Sequence, residues 1–160
     1  MLSIHLYEDS NKEAVIDLAL HCQNDGSRPL VGIEDQPDLS DIEKYYFSPG
    51  GCFWVAEDNE KLAGSIGLMN CGNGIGILKK FFVYEKYRGA PVHLGQKLYK
   101  ESLSFARRNN FKTLFLDTPK NTDRAHKFYN TAGWKKISEE NLPFQFEHPY
   151  QDSDFFQLDI

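Results

Sequence analysis

The chain has little cysteine: three residues in 160, Cys22, Cys52 and Cys71, an odd count with no C-x-x-C pair. That excludes a disulfide framework and a structural zinc site, and free thiols are expected. It also lacks any run near the roughly 18 to 20 apolar residues that a membrane helix needs. Met1 to Glu8 has neither the basic start nor the apolar stretch of a secretory leader, so no membrane association and a cytoplasmic location are expected. His5, His21, His93, His126 and His148 form no H-x-x-x-H pair, and no Gly-x-Ser-x-Gly elbow occurs. Neither a metal centre nor a serine hydrolase is expected from such a pattern. Positive charge is not in excess, with 18 basic against 23 acidic side chains, which argues against a nucleic-acid partner. What is present is ordinary globular material, 41% hydrophobic and 14% aromatic, enough for one core, and residues 1–160 are read as a single domain.

The charge is segregated. Residues 1–60 hold 13 acidic and 3 basic side chains, whereas residues 79–112 hold 9 basic and 2 acidic. The basic block, which includes Lys79, Lys80, Arg88 and Lys97, suits a phosphate-rich ligand or a solvated helix face. The acidic portion, with Glu34, Asp35, Asp38, Asp41 and Glu43, suits a cationic amine if it lines a site mouth, or solubility otherwise.

Periodicity predicts an edge strand at 3–7 and a helix at 11–22. A Gly-, Pro- and Asp-rich loop follows, then a short helix opened by a Ser40/Glu43 capping box and ended by Pro49-Gly50-Gly51. Apolar runs at 52–57 and 61–69 flank Asp58-Asn59-Glu60 as a hairpin, and a third strand is predicted at 76–84. Leu94, Leu98, Leu103 and Ala106 space a helix over 94–108, and 113–117 is a buried strand. Asn121 or Thr122 caps a helix that Gly133 closes, and 134–138 and 153–158 are the last strands. The fold class is α+β, a mixed, mostly antiparallel sheet flanked by helices.

Chemistry concentrates after the third strand. Phe81 to Tyr84 leads into Arg88-Gly89-Ala90-Pro91-Val92-His93-Leu94-Gly95, and then into a helix. A strand, a glycine-containing loop and a helix N-terminus aim backbone N–H groups at one spot, which suits an anion. The spacing fits neither a Walker A loop nor a dinucleotide fingerprint. By these residues alone a plain strand-to-helix turn is the favoured reading.

The stretch Lys79 to Ile137 resembles the core of the GCN5-related N-acetyltransferases. Arg88-Gly89 with His93-Leu94-Gly95 approximates that family's pyrophosphate loop, and Ala125-His126-Lys127-Phe128-Tyr129 with Gly133-Trp134 resembles its Ala-x-x-Phe-Tyr signature. Phe53 to Glu57 and Lys61 to Gly64 resemble its central hairpin. This chain differs in a loop about two residues longer, in His93 where glycine is usual, and in Ile77 or Leu78 where an acid is usual. The resemblance implies an acyl-CoA N-acyltransferase-like fold and acetyl-CoA as co-substrate. It implies direct transfer to a small-molecule or peptide amine. Phe82 and Val83 then meet the pantetheine arm, with the Val83 N–H facing the oxyanion. Arg88, Gly89, Ala90, His93, Leu94, Gly95, Gln96 and Asn121 serve the cofactor, and Tyr129 is the general acid. Glu57 is the first choice for the base and Asp117 the second, with water as the remaining alternative.

Two rivals stand beside this. One is an acyl-CoA-binding module of the same fold without turnover. The other is a thiol enzyme, because Gly51-Cys52-Phe53-Trp54-Val55-Ala56-Glu57 matches the Gly-Cys-Phe-Trp-x-x-Glu signature of methionine sulfoxide reductases. Such an enzyme needs a thiolate at a helix start, whereas Cys52 opens an apolar strand. Acceptor specificity is expected to lie partly in residues 142–160, where Phe144, Phe146, Tyr150, Phe155 and Phe156 suit a homodimer face, with core strand the alternative for Phe155 and Phe156.

Overall fold

The computed structural model describes residues 1–24, 26, 30–120, 122–143 and 152–160. Seven strands form one sheet: β1 (Leu2–Leu6), β2 (Cys52–Asp58), β3 (Lys61–Gly72), β4 (Ile75–Val83), β5 (Thr113–Pro119), β6 (Lys135–Ile137) and β7 (Ser153–Asp159). Their order is β1-β2-β3-β4-β5-β7-β6, with β1 at an edge as expected. Only β4 and β5 are parallel; the other pairs are antiparallel. Two-residue turns set the first hairpins. Asn59 and Glu60 (φ 51° and 72°) join β2 to β3, and Asn73 and Gly74 (φ 56° and 77°) join β3 to β4, the backbone that matches strand twist.

The sheet is covered on both faces, which is why β2 is apolar from Cys52 to Ala56. Cys52, Trp54 and Ala56 pack with α2 (Leu94–Arg108), and Phe53 and Val55 pack with α1 (Lys12–Gln23). Gly64 on β3 lets α2 lie close, since a Cβ there would meet the Leu98 side chain and the Phe82 carbonyl oxygen at 3.0 Å. Phe155 and Phe156 are core residues of β7; Phe144, Phe146 and Tyr150 lie outside the described residues.

Two local expectations change. The Ser40/Glu43 capping box does not form. The Asp41 carboxylate accepts from the Lys44 N–H at 3.1 Å, and Glu43 turns to accept from the Ser48 hydroxyl at 3.4 Å. Glu43–Phe47 then winds as a π-turn, with Ser48 N–H donating to the Glu43 carbonyl at 2.8 Å. Thr122 stands before α3 (Asp123–Thr131) but makes no side-chain capping bond, and Asn121 lies outside the described residues.

One strand irregularity changes the interior beside β4. Between β3 and β4 the register runs Gly67↔Lys79 and then Ser65↔Phe82, so β4 carries one extra residue. Lys80 adopts φ 54° at this bulge, and its carbonyl accepts from the buried Ser65 hydroxyl at 2.7 Å. A bulge re-aims side chains, and here it turns a lysine inward.

Candidate active site

β4 pairs with β5 only from Ile75 to Ile77; past that point the strands separate and a cleft of about 840 Å³ opens between them. Its walls include Phe81, Phe82 and Val83 on β4, Leu116 to Pro119 on β5, and Phe128 and Tyr129 on α3. Parallel pairing that stops early is what makes room for a ligand.

At one end lies the loop into α2. Arg88 Nε donates to the Val83 carbonyl at 2.8 Å, and Arg88 Nη2 lies 3.7 Å from Glu85 and 3.8 Å from the Cys22 sulfur. The guanidinium is therefore positioned before any ligand arrives. His93 takes the left-handed backbone (φ 50°, ψ 45°), the conformation that glycine adopts most easily, so a histidine here preserves the turn at a backbone cost. Its N–H donates to the Gly89 carbonyl at 2.7 Å, and α2 begins at Leu94 with its N-terminus at the cleft. Arg124, from the first turn of α3, adds a second guanidinium, and burial beside Arg88 lowers its pKa. The Thr122 hydroxyl, also in the wall, is buried with no partner among the described residues. Two guanidiniums, a helix N-terminus and an unpartnered hydroxyl fit a pyrophosphate-bearing ligand whose apolar arm runs along Phe81 and Phe82.

Of the residues expected from sequence, Phe82, Val83, Arg88, Gly89, His93, Gly95, Gln96 and Tyr129 line this cleft. Ala90 is exposed on the loop and Leu94 is wholly buried in the core, so neither side chain reaches it. Glu57 is a correction. It lies at the end of β2, where it bonds His5 on the edge strand β1, and β3 stands between it and β4. It does not line the cleft, whereas Asp117 does and accepts from the Ser153 hydroxyl at 3.2 Å. The acidic residues Glu34, Asp35, Asp38, Asp41 and Glu43 do not line it either. Sequence reasoning also missed Arg124 and the inward turn of Lys80; a Lys79-Lys80 pair interrupting an apolar strand was the available signal.

Cys52 is buried at the start of β2 and packs in the core, and burial pushes its thiol up to about 11. A thiol in that environment is protonated near neutral pH, unlike a thiolate nucleophile. Cys52→Ser is expected to keep full activity per folded molecule, measured as CoA release; complete loss in a folded variant would restore the thiol-enzyme reading. Among the described residues no cluster of side chains could hold a metal, and no helix is long and apolar enough to cross a membrane.

Comparison with known proteins agrees with this geometry. The sequence profile of the acetyltransferase (GNAT) family matches residues 13–134. N-acetylaspartate synthetase of Xenopus tropicalis is 33% identical over 125 residues, covering 76% of this chain and 45% of that protein. This chain thus spans about half the length of such relatives. An acetyltransferase from Streptococcus agalactiae superposes with a TM-score of 0.94 at 37% identity, over 99% of this chain and 98% of that one. A Salmonella typhimurium protein solved with its cofactor acetyl-CoA shares the fold, with a TM-score of 0.70 at 14% identity over 99% and 93% of the two chains.

Proposed function

The chain belongs to the acetyltransferase (GNAT) family, and from that premise we propose that it moves an acetyl group from acetyl-CoA directly to an amine. The observation that carries this is the cleft where β4 and β5 part, with Arg88 and the start of α2 at one end and Tyr129 and Asp117 in its walls. Acetyl-CoA supplies the activated acyl carbon and a thiol leaving group. An acceptor ammonium must first lose a proton, and the Asp117 carboxylate takes it, directly or through one water. As the C–N bond forms and the C–S bond breaks, the Tyr129 hydroxyl gives its proton to the departing sulfur, the acetylated nitrogen passes its surplus proton to the resulting phenolate through solvent, and Asp117 returns the first proton to water. Backbone N–H at Val83 is the candidate oxyanion donor. Arg88, together with the α2 N-terminus, holds the pyrophosphate, and the Phe81, Phe82 and Phe128 rings exclude water from the reacting end.

Calorimetric titration with acetyl-CoA tests the cofactor assignment. Saturable binding is expected, and Arg88→Ala is expected to weaken it roughly tenfold to a hundredfold, the worth of one charge-assisted phosphate contact. Absence of binding to folded wild-type protein would overturn the proposal. Turnover of any amine, if it depends on Tyr129, excludes the inactive-module alternative.

A further inference from the structure

The far end of the cleft from Arg88 has a different character. Lys80 precedes Val83 by three residues, roughly 10 Å along an extended strand. A cofactor anchored at the loop and running inward along β4 therefore has its acyl end toward Lys80, and the acceptor meets it there. The bulge buries this lysine, with its side chain 3% exposed, yet it lines the cleft.

Its partners come from the segment between α1 and β2. Nζ donates to Gln36 Oε1 at 2.6 Å and lies 3.6 Å from Asp38 Oδ1. Both partners are themselves held. Gln36 exchanges amide hydrogen bonds with Gln23 of α1 at 2.7 Å, and Asp38 Oδ2 accepts from the buried Tyr46 hydroxyl at 2.6 Å. Asp117 faces Lys80 from β5, near enough for its charge to be felt, and Lys79 adjoins it on β4. An ammonium has three N–H bonds, and these contacts engage two at most. A buried donor left over is costly unless something accepts it, and the cleft is where an acceptor can arrive. A rigidly held ammonium, flanked by Asp38, and the Asp117 carboxylate thus stand on neighbouring strands at the acceptor end.

We propose that the amine substrate also carries a carboxylate, which Lys80 binds, while its amino group is directed toward Asp117. The acceptor class is an amino acid or similar zwitterion, and Lys80 is a specificity-determining residue. This rests on the acetyl-transfer reading above. A neutral or polycationic amine would leave the Lys80 donor unanswered and add positive charge beside it.

The test is steady-state CoA release from acetyl-CoA with a panel of free amino acids, the same compounds as carboxamides, and simple alkylamines and polyamines. Wild-type protein is expected to use one or more free acids with kcat/KM at least tenfold above the matching carboxamide. In Lys80→Met that preference is expected to collapse through a raised KM for the acid, with acetyl-CoA affinity by calorimetry unchanged. If the variant does not fold, the acid-to-amide ratio of the wild type decides alone. Equal use of acid and amide, preference for carboxyl-free amines, or no turnover of any acid despite normal acetyl-CoA binding overturns this inference and leaves the cofactor reading standing. Failure to bind acetyl-CoA overturns that reading instead. A purely structural Lys80 would show as a lower Tm in Lys80→Met with the acid preference intact.

Discussion

Replacing Tyr129 by phenylalanine is expected to lower kcat by about two to four orders of magnitude, the usual worth of a positioned general acid, with little change in acetyl-CoA affinity. The ring is 8% exposed and packs against Phe128, Trp134 and Phe156, with centroid separations of 5.5, 5.8 and 5.8 Å. Phenylalanine preserves all of those contacts, and the Tyr129 carbonyl that accepts from the Trp134 N–H at 3.0 Å is untouched. What disappears is the proton that the leaving sulfur needs. Single-turnover rates and a calorimetric Kd separate the outcomes. A variant with wild-type kcat would remove Tyr129 from the mechanism and leave it a core aromatic.

The largest effect on stability is expected from Gly51→Ala. Gly51 lies where the π-turn ends and β2 begins, and its N–H donates to the Tyr46 carbonyl at 2.8 Å. A methyl group there would overlap the Leu68 carbonyl oxygen and lie 2.9 Å from the Tyr46 carbonyl oxygen and 3.1 Å from the Asn70 nitrogen. All three are backbone atoms of neighbouring elements, so no side chain can swing aside. The cost is expected to be about 3 kcal/mol or more, at the high end of overpacking. For a domain of this size that lowers Tm by roughly 10 °C. An unchanged melting curve would show that the junction yields.

The elements were legible because their signals are local. The helix spacing over 94–108 matches α2 (Leu94–Arg108), since an apolar stripe at 3.6-residue spacing needs no knowledge of its partner. The hairpin at Asp58-Asn59-Glu60 announces itself through Asn59, a residue type that tolerates positive φ. The strand–loop–helix segment at one end of the cleft was legible too, because Arg88, Gly89 and Gly95 fall within one short stretch; reading it as a pyrophosphate loop took the family resemblance. Glu57 illustrates the limit. A carboxylate at a strand end reads the same whether its neighbour is a cleft or an edge strand, and only the strand order assigns it to His5 and gives Asp117 the cleft.

By itself the sequence determined which segments become strands and helices and that helices flank the sheet, because these follow from periodicity and turn chemistry. Only the tertiary structure decided which side chains meet at the acceptor end. Lys80, Gln36, Asp38 and Asp117 belong to three distant segments, and a one-residue bulge at Lys80 sets the direction of its side chain. Register between strands is a property of the pair, so no reading of β4 alone reveals it.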